Sequence, residues 1–233
     1  MNAIFKREFK AYFNTPIGFI VLAAYYFFLG LFFSLIYRSG SPNIETVIMA
    51  MSIVSVFTMP ILTMRLMSED RRQKVDQALI TAPVKLTSIV LGKFFAAFAV
   101  FALSFAPTVI FEIIVATKIS VNVLSYIYAL FGMFLLGGAL ISIGMFISCL
   151  TESPVVSAIL TLVINILIIY MSNFASMVNN SFLAKVFEKA AFVSASESFG
   201  QNIFSIPDIV YFVSIIAAFL FLSVRSLEKR RWS

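Results

Sequence analysis

Residues 17–37 run for 21 positions without a charged side chain, and that run alone excludes most folds. As an α-helix it is about 31 Å long, enough to cross the hydrocarbon core of a bilayer. In lipid every backbone N–H and C=O must be satisfied within the structure, which makes a helix the natural form of such a run. Five further apolar stretches follow, at 46–64, 86–116, 121–149, 154–171 and 207–224. The 233-residue chain is 61% apolar and 12% charged, whereas soluble domains are about half apolar and a quarter charged. The predicted class is therefore all-α integral membrane, a single domain over 1–233 with six spans.

Composition also narrows the chemistry. Histidine is absent, which removes Ser-His-Asp triads, HExxH zinc sites and His-ligated haem together. Cys149 stands alone, so no intramolecular disulfide forms. Neither a GxGD-like nor a Gly-x-Ser-x-Gly element occurs, which disfavours an intramembrane protease. Gly92-Lys93 lacks both the earlier glycine and the following hydroxyl of a phosphate-binding loop, so the chain is read as no enzyme.

Charge orients the spans. With the N-terminus inside, 13 of the 17 Lys and Arg fall on the inner side and 4 (Arg38, Lys118, Lys185, Lys189) on the outer. The positive-inside rule then places both termini in the cytoplasm. The net charge of +6 reads as membrane orientation and not as a nucleic-acid surface.

Taken in order, residues 1–16 put Ile4, Phe5, Phe9, Tyr12 and Phe13 on one face, with Lys6, Arg7, Glu8 and Lys10 away from it. This predicts an interfacial amphipathic helix rather than a signal peptide. In the third span Pro107 predicts a kink, and Glu112 is an intramembrane acid, read as snorkelling or helix-pairing ahead of a substrate contact. The fourth span carries Gly138/Ser142 and Gly144/Ser148, small pairs that allow close helix approach. Asn165 in the fifth is read as a bond to a neighbouring helix ahead of a substrate role. Residues 172–206 are read as an outer segment with amphipathic helix, Phe182, Leu183, Val186, Phe187 and Ala190 on its apolar face and Lys185, Glu188 and Lys189 opposite, and 225–233 as a basic tail.

The densest charge lies at 68–83, between the second and third spans. Ser68 is the expected N-cap, followed by Glu69 and Asp70 in the first turn. Arg71, Arg72, Lys74 and Asp76 come next, while Val75, Ala78, Leu79 and Ala82 share one face and Pro83 stops the pattern. The stretch reads as a short helix turned to the cytosol, or as a solvated loop with an ordinary amphipathic turn. Fixed charges of both signs suit register against a complementary surface.

Two segments carry a family resemblance. Arg65-Leu-Met-Ser-Glu-Asp-Arg-Arg-Gln-Lys-Val-Asp-Gln-Ala-Leu-Ile-Thr-Ala-Pro-Val84, continuing to Leu91-Gly-Lys93, resembles the conserved cytosolic segment of ABC-2-type exporter membrane subunits. Ser196-Glu-Ser-Phe-Gly200, with the ending Val224-Arg-Ser-Leu-Glu-Lys-Arg-Arg-Trp232, is similar to the gliding-motility-type subgroup and to nitrous-oxide-reductase-maturation permeases. Lys74-Val75 stands where Gly-Thr is common. The resemblance implies a permease of the bacterial cytoplasmic membrane that pairs with a second or related permease copy. It also implies two separate ATPase subunits binding ATP and Mg, with no cofactor on this chain and no nucleic acid. A large extracytoplasmic membrane subunit is a further candidate partner. Residues 68–83 would be the coupling helix, with Glu69, Asp70, Arg71, Arg72, Lys74 and Asp76 docking and Val75 and Leu79 facing the spans. Span position alone assigns a cargo path to Phe28, Phe32, Phe57, Asn165 and Ile169, for an amphipathic or bulky cargo moved outward. The alternative is a non-transport scaffold that passes ATP-driven motion to an extracytoplasmic protein. A channel or proton-coupled carrier would need more intramembrane ionisable groups than Glu112 supplies.

Overall fold

The computed structural model describes residues 1–38, 43–73, 85–117, 122–171, 192, 199 and 205–231. Among these residues the helices are α1 (Asn2–Asn14), α2 (Pro16–Arg38), α3 (Ile44–Thr63), α4 (Ser68–Arg72), α5 (Leu86–Ser104), α6 (Ala106–Ala116), α7 (Val123–Leu150), α8 (Pro154–Ile169) and α9 (Ile206–Arg231). Five stretches are long and apolar enough to cross a membrane: α2, α3 with α4, α5 with α6, α7, and α9. At 16 residues, α8 reaches only about 24 Å, so the fifth predicted span is met by a helix shorter than a hydrocarbon core. The basic tail continues α9 as helix to Arg231.

Local chemistry accounts for where several helices begin. Asn43 Oδ1 accepts from Glu45 N and Asn122 Oδ1 from Leu124 N, each at 3.1 Å, which satisfies N–H groups that have no partner within their own helix. Pro154 sits in the first turn of α8, where its missing N–H costs nothing.

The predicted kink of the third span falls two residues before Pro107, at Phe105, and is a complete break between α5 and α6. Proline cannot donate to the carbonyl four residues back. That carbonyl, Leu103 O, accepts instead from the Tyr26 hydroxyl of α2 at 3.3 Å. The Phe105 carbonyl accepts from Thr108 Oγ1 at 2.7 Å, and Tyr126 of α7 lies 3.0 Å from the same hydroxyl. Neighbouring helices therefore supply the partners that the break removes, as lipid burial requires. Tyr25, Phe101, Phe105 and Phe134 pack edge-to-face around the break.

Helix α7 is the centre of the bundle and packs against α3, α5, α8 and α9. Its small residues face different neighbours. A Cβ on Gly144 would overlap the Thr63 hydroxyl of α3 and stand 3.1 Å from Thr161 Cγ2 of α8. One on Gly138 would meet Ile216 of α9 at 3.0 Å, and one on Gly137 would overlap the Phe101 ring. Helices gain no hydrophobic drive from meeting in lipid, so close approach supplies the dispersion contact that holds them.

The aromatic face of α1 packs against the chain's own α5, with Ile4 close to Gly92. Tyr12 is buried, and its hydroxyl donates to Leu62 O at 2.8 Å. Burial raises the Tyr12 phenol above its ordinary value and the nearby Glu8 charge adds to the effect, which keeps the group a donor. Within the predicted outer segment Phe192 and Phe199 are buried, against α9 and α7 respectively; the rest of 172–204 lies outside the described residues.

Replacing Gly144 with valine is expected to lower the unfolding temperature in detergent, a loss of about 1–3 kcal/mol from overpacking. Gly30→Ala, where a Cβ meets nothing within 4 Å, should be neutral or slightly stabilising. Equal effects from the two variants would contradict this packing.

Candidate functional site

The charged segment is anchored before it is exposed. After α3 the chain turns over residues 64–67 and enters α4. Ser148 of α7 reaches across and accepts from Met67 N and Ser68 N, both at 3.0 Å, while donating to Met64 O at 3.1 Å. One hydroxyl thus uses its donor and both acceptor sites. The expected N-cap, Ser68, does not cap. Met67 occupies that position and the Ser68 hydroxyl bonds back to Met64 O, so the cap is supplied by another helix.

Of the four predicted docking charges among the described residues, three have internal partners. Asp70 Oδ2 lies 2.7 Å from Lys93 Nζ, Glu69 pairs with Arg65, and Arg71 reaches Glu152 Oε1 at 2.9 Å and Leu150 O at 3.1 Å. The last contact places a cation on the C-terminal carbonyl of α7, where the helix dipole favours it. Arg72 and Gln73 are exposed, and Gln73 Nε2 donates to Glu69 Oε1 at 3.2 Å. Lys74, Val75, Asp76 and Leu79 lie outside the described residues.

Lys93 is the knot of this arrangement. Its side chain is 1% exposed, and its Nζ lies 2.6 Å from Leu66 O, 2.7 Å from Asp70 Oδ2 and 3.3 Å from Glu8 Oε1. One hydrogen bond and two ion pairs thus surround the ammonium. Glu8 is also held by Arg7 at 2.6 Å. The sequence places Glu8 away from the packed face of α1; the structure turns it inward because a buried lysine needs it. Removing one member of such a cluster costs about 3–5 kcal/mol, because the remaining charge is left buried without a partner.

Two clefts flank the segment. One, of about 250 Å³, lies between α1 and the turn and is lined by Glu8, Tyr12, Arg65, Glu69, Asp70 and Gln73 among others. The other is bordered by Arg65, Glu69, Arg72, Gln73 and Pro154. The arrangement can present fixed charge at a defined position and pass displacement into α1, α5 and α7.

The proposed cargo-path residues divide by burial. Phe28 is 38% exposed on α2 and Phe57 56% exposed on α3, while Phe32 is half-buried against Phe28. Asn165 and Ile169 are buried on α8. Among the described residues neither amide atom of Asn165 has a hydrogen-bond partner, nor does the Ser157 hydroxyl two turns earlier. Glu112 is half-buried on α6.

Lys93, Glu8, Glu152 and Ser148 were not assigned to this site by the sequence. Lys93 did carry a signal: it is the sole charge between Leu86 and Phe111, and an isolated charge in an apolar run needs a buried partner.

Ser148→Ala leaves two N–H groups of the turn without their acceptor and should destabilise the chain by about 1–3 kcal/mol. Ser142→Ala should cost less, since among the described residues that hydroxyl bonds only within its own helix, to Ala139 O at 2.8 Å. Thermal unfolding of the two variants in detergent orders them directly.

The family model described as ABC-2 type transporter matches residues 1–195. No curated protein matches the chain.

Proposed function

Since the chain belongs to the ABC-2 type transporter family, we propose that it is the membrane-spanning permease subunit of an ABC exporter. In this reading two permease copies, or one copy and a related subunit, pair in the membrane. Separate ATPase subunits dock from the cytosol on the charged segment around α4, and the bundle moves an amphipathic or bulky cargo outward. In this reading α8 is the fifth of six crossings, so both termini share one side, taken as the cytoplasm of a bacterial cell. The segments at 196–200 and 224–232 favour the gliding-motility-type subgroup.

One observation carries the docking assignment: the charged segment is held to α5 and α7 from behind while Arg72 and Gln73 stay exposed. A lever needs that combination of firm attachment and a free charged end. The asymmetry of 13 inner against 4 outer cations supports the orientation. Asn165, buried with an amide that no described residue engages, is the polar group best suited to meet cargo when the bundle opens, and Phe28, Phe32, Phe57 and Ile169 would border that path.

Reversing Glu69 and Asp70 would also strip Arg65 and Lys93 of their partners, so Arg72 is the cleaner test. In the complex purified with its ATPase and placed in nanodiscs, Arg72→Glu is expected to reduce stimulation of ATP hydrolysis by about tenfold or more. Helical content should be unchanged. Stimulation at the parent level would remove the docking assignment.

A further inference from the structure

We propose that Lys93 is a positioning residue that ties the N-terminal helix and the charged segment to one point on α5, so that both move with α5 as a single body. The inference rests on the permease reading for what that movement serves, but its geometry stands apart from it.

The three acceptors on the ammonium come from three places in the chain: Glu8 on α1, the Leu66 carbonyl in the turn, and Asp70 on α4. Neither α1 nor α4 can slide along α5 without withdrawing a carboxylate from a charge that water does not reach. A buried ion pair contributes little net stability compared with apolar side chains of the same size, and its best-attested use is to set register. A second feature points the same way. The residue beside Lys93 is Gly92, where a Cβ would stand 3.0 Å from Ile4 Cγ2 and 3.4 Å from Met1 O. Gly92 lets α1 approach and Lys93 fixes where it stops. The Arg65–Glu69 pair ties the turn to α4, and Arg71 braces α4 against the end of α7 through Leu150 O and Glu152. A push at Arg72 therefore reaches α1 and α5 together.

The test uses the full chain in nanodiscs without any ATPase. Spin labels attached at Lys10→Cys on α1 and Arg72→Cys on α4, in a Cys149→Ala background, report the distance between the two elements. The parent and Lys93→Arg should give one narrow distance. Lys93→Met should raise the population of displaced distances by about tenfold, with rescue by arginine separating positioning from loss of fold. Should Lys93→Met not yield folded protein, Glu8→Gln and Asp70→Asn read the same contact one carboxylate at a time, and each is expected to broaden the distribution. A single unchanged distance in Lys93→Met, or in both carboxylate variants, overturns the proposal. That result would leave the permease reading standing, because the measurement contains no nucleotide or partner. Failure of the Arg72→Glu experiment with an intact clamp would reject the reading and keep the clamp.

Discussion

An ammonium enclosed by helices has to find an acceptor for each of its protons, and the charged end of this bundle is arranged around that requirement. Lys93 draws Glu8 inward from α1, holds the Leu66 carbonyl and orders Asp70. The other charges then settle in pairs around it, Arg7 on Glu8, Arg65 on Glu69 and Arg71 on Glu152. What looks like a solvated polar stretch is thereby, over its described residues, a connected layer, and the exposed Arg72 inherits the position of a buried group.

The layer can be that firm because of the packing below it. Helix α7 gives up side-chain volume at Gly137, Gly138 and Gly144 so that α5, α9 and α3 come close. The same helix, one turn beyond Gly144, presents Ser148 to the turn after α3. Packing and capping are therefore one device: the close approach of α3 and α7 brings the hydroxyl within reach of the two N–H groups. Removing the glycine would move the cap as well as the helix.

Much of this was legible along the chain, for reasons that are local. The apolar runs, the aromatic stripe of α1 and the small pairs of α7 follow from periodicity, which needs only neighbouring residues. The break near Pro107 was visible too, although its place at Phe105 depends on where Tyr26 and Thr108 offer partners. The fate of the charges was not legible. Glu8, Asp70 and Lys93 are distant in sequence and meet only after α1 and α3 have packed on α5 and α7. The same limit applies to the cap on α4, since Ser68 has the right chemistry for the role but a serine 80 residues away has the right position. Asn165 is intermediate: a polar residue in an apolar helix announces a buried role, yet the described structure leaves its amide without the neighbour that the sequence suggested.

The division of the third crossing at Phe105 also bears on how such a bundle deforms. A straight rod displaced at one end carries that displacement through to the other. Two struts hinged at mid-length do not: the near strut swings, and the far strut keeps its own seat, here through the stacked rings of Phe33 and Phe111. Force on the α5 half would then change the angle at Phe105 before it shifted α6.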